Sequence, residues 1–302
     1  MSFIHIDPRP TADGNQPSAP QSRRLPSWFK VKLQTGPDYH DIRKTMDRLN
    51  LHTICEEARC PNMWECWNAR TATFLILGDI CTRRCHYCSV ATGRPHEVDR
   101  EEPLRVAEAV QALNLRHAVI TSVNRDELDD GGASVFAETI RHIRRLIPSC
   151  TIEVLIPDFE GNEAALALVA GEKPDILNHN IETVRRLFPS IRPQGKYQRS
   201  LELLGRAKQM GMTTKSGLIV GMGETTDEAR EVMRDLRSVE CDIMTIGQYL
   251  QPTKEHLSVA RFYHPDEFAA LKEEGLALGF RHVESGPLVR SSYHAEQQVS
   301  SR

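Results

Sequence analysis

Six of the chain's eight cysteines fall between Cys55 and Cys88, in two groups of three. No other feature constrains the fold and chemistry as tightly. The upstream group, Cys55, Cys60 and Cys66, has the spacing C-x4-C-x5-C. The downstream group, Cys81, Cys85 and Cys88, has the spacing C-x3-C-x2-C and follows directly on the apolar run TFLILG. Each group lacks a local fourth cysteine. Three thiolates suit a [4Fe–4S] cubane with one iron left open, whereas a structural zinc ion wants four ligands, usually in paired C-x2-C units. Two alternatives stand on spacing alone. His86 could complete a zinc site downstream, and the upstream triad could hold a purely structural zinc or an inert cluster. Cys150 and Cys241 stand apart and read as small buried hydrophobes.

Compartment and charge narrow the chemistry further. The N-terminal residues lack the apolar core of a signal peptide, and no apolar run approaches the ~18 residues of a spanning helix. We therefore expect a cytoplasmic protein that does not enter membranes, where clustered thiols are ligands rather than disulfides. The formal net charge of −3 and the absence of a long basic block argue against nucleic-acid binding.

From Thr73 onward short apolar runs alternate with stretches of helical spacing. The runs are TFLILG, HAVITS, TIEVLIP, DILNH, SGLIVG and IMTIGQY. Phe136, Ile140, Ile143 and Ile147 mark one helical face; Val232, Leu236 and Val239 mark another. Strands buried on both faces and alternating with helices predict parallel βαβ units. Six of them fit a partial TIM-type (β/α)6 barrel, with an open doubly wound sheet as the other arrangement. The pattern divides the chain into a flexible arm (1–25), an extension carrying the upstream triad (26–70, with a helix over Tyr39–Leu49), the barrel (71–284) and a tail (285–302). The residues after His282 read as polar and irregular.

The run FLILGDICTRRCHYCSV resembles the signature of the radical SAM superfamily. That resemblance implies that Cys81, Cys85 and Cys88 bind a cluster whose open iron chelates S-adenosylmethionine, with Tyr87 beside the adenine. A closer resemblance extends over residues 50–295. CEEARCPNMWECWNARTATFLILGDICTRRCHYCSVATGRP, TSVNRDELDDGGA, PDILNHNIETVRRL, RPQGKYQRSLELL, KSGLIVGMGET, QYLQPTKEHLSVARFYHPDEF and VRSSYHA are similar to the lipoyl synthase family. This implies two [4Fe–4S] clusters and sulfur insertion at C6 and C8 of an octanoyl chain carried on a lysine. The upstream cluster, held by Cys55, Cys60, Cys66 and Ser292 of the R-S-S-Y motif, would be consumed as the sulfur source. Partners would be octanoylated lipoyl carrier domains (2-oxo-acid dehydrogenase E2 subunits and the glycine cleavage H protein) and an external electron donor. Another radical SAM sulfur-inserting enzyme, of the biotin synthase or methylthiotransferase kind, and a zinc-binding interaction module are the rival readings.

Further residues are candidates for S-adenosylmethionine contacts. Ser122, with Thr121 and Asn124, ends the strand HAVITS, where the superfamily faces the methionine moiety; a turn or helix-cap role is the alternative. Glu153 and Asn178 are polar groups on barrel strands that need partners. SGLIVGMGE resembles the superfamily's adenine contact. Arg192 and Lys196 read as solvated charges that could pair with a carboxylate; His179 and Asn180 follow in the motif NHN, where a lone histidine reads as a satisfied structural group. Met63, Trp64 and Trp67 could cover the second cluster or simply pack.

Overall fold

The computed structural model describes residues 25–30 and 36–299. The expected arm, apart from Leu25, lies outside the described residues. The extension begins with helix α1 (Pro37–Leu49), followed by strand β1 (His52–Thr53) and the short helices α2 (Ile54–Glu57) and α3 (Met63–Asn68). Next come β2 (Thr73–Ile76), α4 (Glu102–Ala112), β3 (His117–Ser122), α5 (Ala133–Leu146) and β4 (Thr151–Leu155). They lead to α6 (Glu163–Gly171), β5 (Ile176–Asn178), α7 (Phe188–Ile191) and α8 (Tyr197–Gln209). The chain finishes with β6 (Thr214–Val220), α9 (Thr226–Ser238), β7 (Ile243–Gln248), α10 (Pro265–Ala277), β8 (His282–Gly286) and α11 (Ala295–Val299).

All six expected strands form. Their order in the sheet is their order in the chain, from β1 at one edge to β8 at the other. A doubly wound sheet would reverse direction at a switch point; this one does not. Every pairing from β2 to β8 is parallel, and β1 adds an antiparallel edge through His52–Leu75 and Thr53–Phe74. The sheet curls without closing. Thr121 of β3, Leu155 of β4, Gly217 of β6 and Gly247 of β7 therefore line one cavity. This is a partial TIM-type barrel with its helices outside.

The C-terminal region differs from expectation. The residues after His282 form a seventh parallel strand, paired with β7 from His282–Ile243 to Gly286–Gly247. Backbone hydrogen bonds build this edge, and Val283 is its one deeply buried apolar side chain. A polar sequence therefore hid it. After the strand, α11 packs against β3, with Ala295 and Gln298 fully buried.

The barrel interior is charged near the strand starts. Lys215 Nζ donates to both Glu153 carboxylate oxygens at 2.9 and 3.0 Å, and Asn178 Nδ2 donates to Glu153 at 2.9 Å. His117 Nε2 stands 4.0 Å from the same carboxylate. Burial lowers the Lys215 ammonium pKa, and Glu153 opposes that shift. Removing one partner leaves a buried charge unpaired, which costs more than losing both. We predict that Lys215→Met lowers unfolding free energy by about 3–5 kcal/mol. Lys215→Met with Glu153→Gln should recover part of that loss in denaturant titrations; a single variant no less stable than the double would refute the pairing.

Candidate functional site

The downstream triad sits on the loop after β2. Leu77 and Gly78 turn the chain there with φ of +70° and +86°. Leu77 holds this left-handed conformation because its N–H donates to the Glu102 carboxylate at 2.7 Å and its carbonyl accepts from Arg125 at 3.0 Å. The loop is then tied to three neighbouring strand ends. Cys81 Sγ accepts backbone N–H groups from Arg83 at 3.4 Å and Asn124 at 3.3 Å. Arg83 is buried between Asp126 at 2.7 Å and Asp158 at 2.6 Å. The His86 N–H donates to the Ile191 carbonyl, and His256 Nε2 lies 2.9 Å from the Cys88 carbonyl. These restraints turn Cys81, Cys85 and Cys88 toward a cavity of about 140 Å³, while His86 is exposed and is not part of its wall. The wall thus supplies three thiols and no fourth ligand from His86.

The same cavity is lined by Tyr87, Ser122, Asn124, Asn180, Glu182 and Arg192. Ser122 Oγ, Asn124 Oδ1, Asn180 Oδ1 and Arg192 Nε are buried without a hydrogen-bond partner. Polar atoms left in this state carry a desolvation cost that a polar ligand relieves. They fit a zwitterionic, hydroxyl-rich ligand such as S-adenosylmethionine beside a cluster. Tyr87 is half-buried, and burial pushes its phenol well above the usual range.

Glu153 and Asn178 are elsewhere. They bind each other and Lys215 on the strands and do not reach either cavity. Glu153 and Asn178 Nδ2 find their partners within the protein, while Asn178 Oδ1 has none. Arg192 is not solvated surface: it is 7% exposed and faces the cavity, whereas Lys196 is exposed. His179 is satisfied as expected, with Nδ1 2.9 Å from the Ile156 carbonyl and Nε2 2.9 Å from Ser200 Oγ.

Glu182 was missed. It has φ +68°, its N–H donates to Gly217 and its carbonyl accepts from Ile219. Burial raises its carboxyl pKa, opposed by Arg192 and by hydrogen bonds to Asn180 and Tyr87. The available signal was an acid just past the end of a parallel strand. In SGLIVGMGE, Gly217, Leu218 and Ile219 line the second cavity, while Glu224 accepts the Gly221 and Met222 N–H groups and shapes the turn.

The upstream triad is built by α2 and α3. Thr53 caps α2 by accepting the Glu56 N–H at 3.3 Å, which presents Cys55. Cys60 follows through an N–H bond to the Cys55 carbonyl, and Arg59 takes φ +49° at the bend. Cys66 N–H bonds the Asn62 carbonyl inside α3. The three thiols are electrostatic neighbours: Cys60 acts on Cys55, and both act on Cys66. Burial pushes Cys55 up to about 12, and Cys88 of the other triad likewise to about 12. Metal binding must therefore displace protons at both triads. Trp67 is fully buried and Trp64 stacks on Tyr39 at 4.8 Å, so these rings cement α3 to α1.

The tail completes this side. Asn62 Nδ2 donates to the Leu288 carbonyl at 2.6 Å, and Tyr293 Oη donates to Glu65 at 3.1 Å. Between these anchors, Arg290, Ser291 and Ser292 face a cavity of about 440 Å³ together with Cys55, Cys60, Tyr87 and Cys88. Ser292 forms no hydrogen bond among the described residues, so its oxygen is free to serve as a fourth ligand. The tail fits closely here because a Cβ on Gly247 would stand 2.1 Å from the Val289 carbonyl oxygen. The two cavities share Ile54, Tyr87, Cys88, Thr121, Leu155, Asn180 and Glu182. Among the described residues, no three such side chains converge on a single metal ion.

Comparison with known proteins agrees with this geometry. The sequence model of the radical SAM superfamily matches residues 75–236, and that of the N-terminal domain of lipoyl synthase matches residues 11–60. The lipoyl synthase of Rubrobacter xylanophilus is 62% identical over 276 residues, covering 91% of this chain and 86% of that protein. The lipoyl synthase of Bacillus subtilis is 58% identical over 280 residues, covering 92% and 94%. Among solved structures, Streptococcus suis SuiB bound to precursor peptide SuiA superposes with a TM-score of 0.54 at 11% identity, covering 74% of this chain and 50% of that one. The hydrogenase maturase HydG superposes with a TM-score of 0.51 at 12% identity, covering 75% and 61%. Those two likenesses concern the fold. With three thiols at each triad and the fold, family models and relatives in accord, the chain belongs to the lipoyl synthase family of radical SAM enzymes, which use two [4Fe–4S] clusters and S-adenosylmethionine to make the lipoyl cofactor.

Proposed function

We infer that the 440 Å³ cavity receives the octanoyl chain of a lysine on a lipoyl carrier domain, and that sulfur enters there at C6 and C8. The observation carrying this reading is that Cys88 and Tyr87 from one triad and Cys55, Cys60 and Ser292 from the other side border the same space. A methylene or methyl hydrogen is too weakly acidic for any side-chain base, so this chemistry needs a cofactor. When bound to Cys81, Cys85 and Cys88, a [4Fe–4S] cluster supplies the electron that makes S-adenosylmethionine a source of the 5′-deoxyadenosyl radical. Tyr87, Ser122, Asn124, Asn180, Glu182 and Arg192 orient that cofactor. The apolar walls, Ile54, Leu155, Leu218 and Val289, exclude water and hold the alkyl chain beside the sulfur source.

In this reading the sulfur source is a cluster on Cys55, Cys60, Cys66 and Ser292, consumed as substrate. The extension of 26–70, the barrel of 71–284 and the tail of 285–302 then divide the work between sulfur donor, radical chemistry and closure. E2 subunits of 2-oxo-acid dehydrogenases and the glycine cleavage H protein are the proposed carriers, with an external reductant. The proposed compartment is the cytoplasm; among the described residues, no helix is long and apolar enough to cross a membrane.

The direct test is the mass of an octanoyl-lysine peptide after anaerobic incubation with reconstituted enzyme, S-adenosylmethionine and dithionite. We expect a gain of two sulfurs, preceded by a one-sulfur species. An unchanged peptide alongside free 5′-deoxyadenosine would move the substrate elsewhere.

Serine oxygen is a hard ligand on a soft iron–sulfur site, and its bond is the one most readily released. Ser292→Cys should retain about eight irons per chain yet yield less dithiolated product. Full yield with unchanged rates would contradict the release role of Ser292.

A further inference from the structure

Two cations border the 440 Å³ cavity on the side of the upstream triad, the exposed Arg59 and the half-buried Arg290, and the surroundings of Arg290 set it apart from the buried arginines of the downstream site. Beside the downstream triad, Arg83 is paired with Asp126 and Asp158, and Arg125 with Glu127. Arg290 has no carboxylate partner among the described residues. Its Nη1 donates to the Val289 carbonyl at 2.7 Å, and it borders the same cavity as Cys55 and Cys60. The side chain is half-buried and borders the 440 Å³ cavity two residues before Ser292. Its backbone is held there by the close approach of Val289 to Gly247.

A guanidinium remains charged throughout the accessible pH range. Placed in a partly desolvated wall without a carboxylate, it carries a cost that an anion would offset. The thiols beside it supply such an anion once loaded. A cubane core of charge 2+ on three thiolates and one alkoxide is a dianion, and net charge is one of the terms that set a cluster's potential. Residues outside the ligand set commonly tune a metal site in this way.

We propose that Arg290 is the countercharge of the sulfur-donor cluster, a positioning residue that holds the dianion in place and makes it easier to reduce. This rests on the assignment of Cys55, Cys60, Cys66 and Ser292 to that cluster. Removing the cation should disfavour the more negative, reduced cluster and shift its midpoint potential downward. Keeping the charge on a lysine should restore much of the effect, although a lysine cannot reproduce the planar fork.

The experiment uses the full-length chain with C81A, C85A and C88A, so that a single cluster is titrated. This parent should bind about four irons after anaerobic reconstitution. Redox titration by electron paramagnetic resonance then compares the parent with R290Q and R290K added. A more negative midpoint in R290Q, with R290K closer to the parent, supports the proposal. So does loss of iron in R290Q that R290K prevents. An unshifted R290Q holding full iron overturns it, as does equal loss of iron in R290Q and R290K, which would make the role one of packing. A parent that binds no iron would instead sink the assignment of the upstream triad, and the role of Arg290 with it.

Discussion

Two hydrogen bonds between distant parts of the chain hold the second half of the site together. Asn62 grips the Leu288 carbonyl, and Tyr293 reaches Glu65. They bring the tail onto the loop of the upstream triad and leave Ser292 between them, facing Cys55 and Cys60 across the cavity. Without this crossing the upstream thiols would be three ligands on a peripheral loop. With it, Ser292 lines the same cavity on a segment that the barrel itself supports, through β8 on β7 and α11 on β3. Under the proposed assignment of Ser292 to the cluster, the ligand would sit on firm backbone, so that its bond could open while the tail stays docked.

The barrel serves two purposes at its two ends. Away from the cavities it spends its interior on an ion pair, with Glu153 held by Lys215 and Asn178, although His117 Nε2 and Asn178 Oδ1 keep no hydrogen-bond partner there. At the other end the polar atoms of Ser122, Asn124, Asn180 and Arg192 are left without partners around a cavity. The contrast separates structural polarity from ligand-directed polarity. It also explains why the C-terminal ends of the strands, where the loops are free to vary, carry the chemistry.

Much of this was legible in the sequence. The six apolar runs predicted the six strands, because strands covered on both faces need unbroken apolar segments. The cysteine spacing picked out both triads, and the resemblance pointed to Ser292, which the fold brings to the same cavity as Cys55 although no local pattern connects the two. Three features were not legible. β8 is held by backbone pairing and carries little apolar signal. Glu153 and Asn178 looked available for a ligand, but Glu153 is taken by Lys215, on another strand, and Asn178 by Glu153. Arg192 looked like a solvated charge and Glu182 drew no notice, yet the loops fold both inward to the cavity. In each case the deciding partner is distant in sequence, and periodicity reports only on neighbours.

The central claim is that the upstream triad and Ser292 present a sulfur source to the cavity that the downstream triad also borders. It is tested most directly by building the clusters with heavy-isotope sulfide and weighing the product of a single turnover. Two heavy sulfurs in the octanoyl-lysine peptide, with light sulfide present in solution, is the predicted result. Light sulfur in the product from an enzyme that retained its heavy clusters would show that the sulfur comes from elsewhere, and would contradict the account.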